Sequence, residues 1–224
     1  MTIISSEDRR KKSNEKIKKM GIACLENLPL IEDSKSVTLK STDEICKRAV
    51  ASLLAIQLAC DIAQGNDYDE SKKIIDKILK KCNAENDLLL KEKRLFDNDY
   101  SRQDAIDVVW TYEAYWALVW ALGLIETSEI ESPDSICDCQ KAIRLFFDCD
   151  STDEFKSKCK PRNIEEVLDM LDLYYRYHWA CVEKSINPDT EIGDLNPEVV
   201  VERRRGLEWL ISDEDDWNNI SLDT

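Results

Sequence analysis

Apolar positions along this 224-residue chain recur mostly at three- and four-residue spacing, the period of helices that bury one face. One stretch departs from that pattern. Val108–Ile125, VVWTYEAYWALVWALGLI, holds three of the six tryptophans and a single charge, Glu113, and is apolar on every side. A helix of that kind belongs inside the fold with others packed around it. We expect a central helix over 102–125. A membrane span fits less well. The apolar run is at the lower limit of length, holds a carboxylate a third of the way in, and is flanked by Asp104, Asp107, Glu126 and Glu129 without basic residues.

Around this stretch the periodicity predicts a charged helix over 7–20, anchored by Ile17 and Met20, with Gly21 just past its end. After Leu28-Pro29-Leu30 and a weakly extended reading of 36–40, Ser41 and Glu44 give a capping box. The helix they open carries Ile45, Ala49, Leu53, Ile56, Ala59, Cys60 and Ala63 at core spacing and stops at Gly65. A helix over 69–82 presents Ile74, Ile75, Ile78 and Leu79, and a short one occupies 84–95. Gly123 marks either close packing or a cap. Between Pro133 and Lys160 the pattern gives a helix ending near Phe147 and a shorter one capped by Ser151 with Glu154. Long helices follow over 162–186 and 197–211, and the tail over 212–224 keeps Trp217, Ile220 and Leu222 as anchors for docking back. The reading is all-α: one compact domain over 1–224 with about seven to nine helices.

Composition supports this. Five glycines and five prolines leave little for turn-rich β architecture, and a hydrophobic content of 43% is enough for a core. Lys and Arg number 31 against 46 Asp and Glu, a formal charge of −15, which repels nucleic acid and anionic lipid. No nucleic-acid or membrane partner is expected. Charge is unevenly spread: residues 1–20 carry seven Lys/Arg against three acids, and 187–224 carry eleven acids against three arginines. Docking of the two ends on each other would use this asymmetry.

The nine cysteines are odd in number, and the opening MTIISSEDRRKKSNEK has no apolar signal-peptide core. Free thiols and a cytoplasmic location are expected. Cys60 and Cys82 sit on helical stripes as small hydrophobes. Cys137, Cys139, Cys149 and Cys159 cluster within 23 residues, but only one pair is closely spaced, whereas structural zinc uses two. No metal or other cofactor is expected.

Polar residues that meet apolar faces are the candidates for chemistry. On the helix over 162–186, Leu168, Leu171, Tyr175, Trp179 and Val182 point inward, with Asp172 and His178 at the edges. Asp172 can pair with Arg176 one turn on. His178 is the only histidine, so it is either a bonded core residue or a general base. On the last helix Arg203 lies within the apolar face of Val199, Val200, Leu207, Leu210 and Ile211, with Arg204 at its edge. An arginine so placed needs a carboxylate or a bound anion. Glu113, among Trp110, Trp116 and Trp120, has the mirror problem. We expect the two to pair, with His178 or Tyr175 completing a cluster of Glu113, Asp172, Tyr175, His178, Arg203 and Arg204.

DLYYRYHWA at 172–180, VVVERRRGLEWLI at 199–211 and WNNISLDT at 217–224 resemble the family called DUF4272, a domain of unknown function. LKSTDEICKRAVASLLA at 39–55 and VWTYEAYWALVWALGLI at 109–125 fit its remaining blocks. The resemblance implies a bacterial-type helical protein of unassigned activity and transfers no catalytic residue.

Function is therefore read from the residues. A protein-binding or small-anion-binding module is the leading expectation. One version is an immunity-like protein masking a basic toxin, since the −15 charge would steer such an encounter. The enzyme alternatives are a nucleotide pyrophosphohydrolase holding Mg²⁺ through E-E-x-x-D at 165–169 with Asp172, and an anion hydrolase using His178, Asp172 and Arg203. Recognisable P-loop, nucleophile-elbow and zinc-protease motifs are missing from the sequence.

Overall fold

A computed structural model describes residues 3–224. Ten α-helices follow one another: α1 Ser6–Lys19, α2 Thr42–Gln64, α3 Tyr68–Lys81, α4 Leu90–Phe96, α5 Arg102–Trp110, α6 Tyr112–Ala121, α7 Cys139–Phe147, α8 Thr152–Lys158, α9 Ile164–Ile186 and α10 Pro197–Trp209. Three short 3₁₀ turns complete the regular structure, and no strand occurs among the described residues. The chain is all-α and forms a single compact domain.

The expected continuous helix over 102–125 is two. At Thr111, ψ falls to −2°, its N–H turns to Val108 O at 3.1 Å in a 3₁₀ pattern, and its hydroxyl donates to the same carbonyl at 2.6 Å. The break lets the two halves choose different neighbours: α5 packs mainly on α2, and α6 mainly on α10. Nor does α6 hold the centre alone. The middles of α2 and α9 are buried nearly all round, over 45–59 and 165–181, although both carry charges there. Each buried charge in those stretches has a partner inside the protein, described below.

Local signals set the boundaries. Ser41 accepts from Glu44 N and Glu44 accepts from Ser41 N, completing the capping box of α2, and Gly65 closes it at φ 77°. Asn163 caps α9 in the same reciprocal way, and Pro197 opens α10. Two glycines permit close approach. A Cβ on Gly206 would lie 2.6 Å from Ala114 O, so α10 can seat on α6 only without a side chain there. Gly123 is both a cap and a contact: φ is +71°, and a Cβ would fall 2.0 Å from Lys160 O.

The ends dock in a way the charge asymmetry does not foretell. Basic α1 lies on α9 rather than on the acidic tail. Its anchors are Arg9, Ser13, Asn14 and Ile17, while Met20 is 40% exposed. Ile74, placed among the inward residues of α3, is 53% exposed. The tail folds back: Trp217 is fully buried, its ring 6.3 Å from that of Trp209 and 5.0 Å from the Arg48 guanidinium.

Candidate functional site

Glu113 on α6 and Arg203 on α10 meet directly. Arg203 Nε donates to Glu113 Oε2 at 2.8 Å, with both side chains 2% exposed. The other carboxylate oxygen accepts the backbone N–H of Cys137 at 2.7 Å. The remaining donors of the guanidinium turn to the 130–137 loop: Nη2 to Ser135 O at 3.1 Å, and Nη1 to Ile130 O and Tyr174 Oη, both at 3.4 Å. Tyr174 Oη in turn donates to Ile130 O at 2.5 Å. Each charge is thus matched by the other and by fixed dipoles, as a buried ion pair requires.

The third member of this cluster is Tyr174, not Tyr175 or His178. Neighbours in a helix differ by about 100° in direction, so adjacent tyrosines serve different neighbours. Tyr174 faces α6 and the loop, and Tyr175 faces Arg204, whose guanidinium stands 4.8 Å from its ring centroid.

Arg204 organises a second cluster. Its Nη1 approaches His178 Nδ1 at 2.6 Å, and its Nε and Nη2 reach Glu208 Oε1 at 3.2 and 3.1 Å. Leu222 O and Asp223 O of the tail accept from the same guanidinium, each at 3.2 Å. An arginine can only donate, so His178 Nδ1 is the acceptor and the ring is neutral with its proton on Nε2. Burial, then the charges of Arg204 and Arg205, hold the imidazole pKa down at about 4. Burial raises the Glu208 carboxyl, against the attraction of Arg204. Arg205 completes the run of three arginines by donating to Glu202 and, at 3.4 Å, to Trp217 O.

Asp172 belongs to neither cluster. It forms a bidentate pair with Arg176 at 3.0 and 2.6 Å, both side chains fully buried. The other acids of the E-E-x-x-D segment also have local duties. Glu165 and Asp169 hold Arg9, at 2.5 and 2.9 Å, and Glu166 caps Asn163. A further pair unites α2 and α4: Arg48 Nη2 donates to both oxygens of Glu92, at 2.7 and 2.6 Å.

Arg9 and Arg48 were not among the sequence candidates. For Arg48 the signal was present, since it sits inside the Ile45–Ala49 stripe as Arg203 sits inside its own. For Arg9 it was masked, because the residues around it are charged on every side of the helix.

Among the described residues, no group of three or more His, Cys, Asp or Glu side chains is placed to hold a metal ion. No helix among the described residues is long and apolar enough to cross a membrane. Among the described residues, five surface clefts range from about 210 Å³ at α2 and α8 to about 650 Å³ along α3, and none of these five is lined by any of the six candidate residues. All nine cysteines are free thiols.

Fold and interior together define a helical domain braced by arginine–carboxylate pairs that reach between helices. The chain belongs to the DUF4272 family, a domain of unknown function, whose family model matches residues 9–220. No curated protein and no solved structure matches it.

Proposed function

We propose that this protein is a non-catalytic binding module, in which the buried clusters are struts and recognition belongs to the surface. The observation that carries this reading is the employment of the candidate groups. Arg203 is spent on Glu113 and the 130–137 loop, and Arg204 on His178, Glu208 and the tail. An anion would have to displace a carboxylate already in contact with each guanidinium. The hydrolase alternatives lose support for the same reason, since Glu165, Asp169 and Asp172 face arginines instead of one another. With its pKa held near 4, His178 is a poor general base at neutral pH. The charge of −15 favours a basic protein as partner, with an association rate that falls as salt rises.

Thermal unfolding in excess Mg²⁺ with inorganic phosphate, pyrophosphate or nucleoside triphosphates tests the reading. A ligand at 100 times its Kd stabilises the folded state by about 2.7 kcal/mol. Unchanged midpoints are expected. A clear rise with pyrophosphate or a triphosphate, lost in Arg203→Lys while that variant stays folded, would return the cluster to the role of an anion site.

A further inference from the structure

Cys46 and Cys159 are 113 positions apart in sequence, yet their sulfurs touch, Sγ to Sγ 3.8 Å. They are the facing thiols of two elements: Cys46 lies in the first turns of α2, and Cys159 is the residue that ends α8. We propose that this pair is an oxidation site, at which a peroxide converts the two thiols to an intramolecular disulfide joining α2 to the end of α8.

Geometry is the first support. A disulfide places its sulfurs about 2.05 Å apart, so roughly 1.8 Å must be closed. The residues around Cys159 make that a local movement. Lys160 N donates to Leu122 O at 2.8 Å and Arg162 N to Ala121 O at 2.8 Å, which ties the chain just beyond the thiol to the end of α6. Cys159 itself has left the helix, with φ −70° and ψ 137°, so its side chain can turn without unwinding α8. Cys46, in contrast, is fixed in the middle of the packed α2 face and is 6% exposed.

Their surroundings assign different roles. Cys159 is half-buried and within reach of solvent, and its pKa is lowered by the contact with Cys46, against burial, and then by the Lys156 ammonium. Cys46 is pushed the opposite way by the same contact and by burial. Cys46 lines a cleft of about 210 Å³ with Cys82, Phe155 and Lys156, and Cys159, which does not line it, is the more exposed of the two thiols. Cys159 is therefore the attacking thiol and Cys46 the resolving one.

The chemistry balances with hydrogen peroxide. The Cys159 thiolate attacks one peroxide oxygen, the O–O bond breaks, and sulfenic acid forms as hydroxide leaves and is protonated to water. Cys46 Sγ then attacks Cys159 Sγ; the S–O bond breaks, a second water departs with the Cys46 proton, and the S–S bond forms. Two thiols are oxidised by two electrons and one peroxide is reduced.

The test treats fully reduced, full-length protein with a small excess of hydrogen peroxide, then alkylates the remaining thiols and maps tryptic peptides. The expected product links Ser41–Lys47 to Cys159–Arg162 and disappears on addition of a dithiol reductant. In Cys46→Ala the sulfenic acid should persist on Cys159 and be trapped by a cyclic 1,3-dione. Cys159→Ser should slow peroxide consumption at least tenfold. The competing thiol is Cys139, whose pKa is lowered to about 7 by the contact with Cys137. Preferential reaction there, a Cys137–Cys139 bridge in place of the 46–159 one, or failure of Cys46→Ala to accumulate sulfenic acid on Cys159 would overturn the proposal.

Discussion

Arg203 and Arg204 are neighbours in α10, both almost completely buried, and they hold different things. Arg203 reaches 90 residues back to Glu113, in the most apolar part of the sequence, and gathers the 130–137 loop around the pair. Arg204 binds within its own neighbourhood: Glu208 one turn on, His178 on the adjoining helix and two carbonyls of the last three residues. One cluster joins core elements, and the other fastens the end of the chain to the body. Burial alone does not distinguish them. What differs is whether the partner is held by the core or by a segment that can detach. Damage to the first should reach the whole fold, and damage to the second should stay local.

The largest effect is therefore expected at the first cluster. Arg203→Ala leaves the Glu113 carboxyl buried without its cation, and should cost about 3–5 kcal/mol of unfolding free energy in urea. Replacing both residues together, Glu113→Leu with Arg203→Met, should recover only part of that loss. The buried Cys137 N–H would still lack its partner, at about 1–3 kcal/mol for a buried orphan, while Ile130 O keeps Tyr174 Oη. Full recovery in the double variant would mean that the loop finds other partners and that the pair is no anchor for it. A cost below about 1 kcal/mol for the single variant would place it with ordinary surface pairs.

The sequence exposed this first cluster better than the second because an isolated charge in an apolar run has few ways to be satisfied. Glu113 and Arg203 each lacked a local partner, so each pointed to the other. Arg204 was placed only at the helix edge and grouped with Arg203, and nothing local in the sequence shows that it leaves that cluster to hold Glu208, His178 and the tail. The choice of Tyr174 over Tyr175 depends on the rotation of α9 about its axis. Two adjacent aromatics do not reveal that rotation until the neighbours of α9 are placed. Thr111 was hidden for a similar reason. Threonine is tolerated in helices, and this one divides there because α5 and α6 have different surfaces to cover. Arg9 was concealed by charged neighbours that made the whole of α1 read as solvated. The caps at Ser41 and Ser151 depend on local chemistry and were legible from it, whereas the division at Thr111 helps raise the helix count to ten, above the expected seven to nine.

Removing the tail acts on the second cluster. Truncation after Asp216 deletes Trp217, whose buried indole contributes roughly 1.5–3 kcal/mol, and takes Leu222 O and Asp223 O away from Arg204. The unfolding free energy in urea should fall by an amount within that range, and the midpoint with it. Amide exchange should quicken in the last turns of α10 and around Arg48, while the 130–137 loop keeps its protection. Equal loss of protection in the loop would show that the two clusters unfold as one unit, and the contrast between them would fail. An unchanged midpoint would mean that the indole contributes nothing net to stability.

The smallest effect is a pH dependence confined to the second cluster. His178 has a folded pKa of about 4, from burial and then from Arg204 and Arg205, against about 6.5 in an unfolded chain. Between those values the unfolded state binds a proton that the folded state refuses, so folding weakens as pH falls through this window. Above about 6.5 the ring is neutral in both states and its contribution is complete. Glu208 works in the opposite sense: its carboxyl is raised by burial, so the folded state takes up a proton before the unfolded one and offsets part of the loss. The net slope should be shallow and positive with pH. Urea unfolding at about pH 7 and about pH 5 reads it directly, and His178→Gln should flatten it, because an amide oxygen can still accept from Arg204 without titrating. Protonation of His178 would set an imidazolium against the Arg204 guanidinium, so the tail should loosen before the core does. Exchange protection at Asn219 and Ile220, whose N–H groups bond within the tail, should then fall on acidification while that at Cys137 holds. The same slope in His178→Gln as in the parent protein would assign the acid sensitivity to other groups.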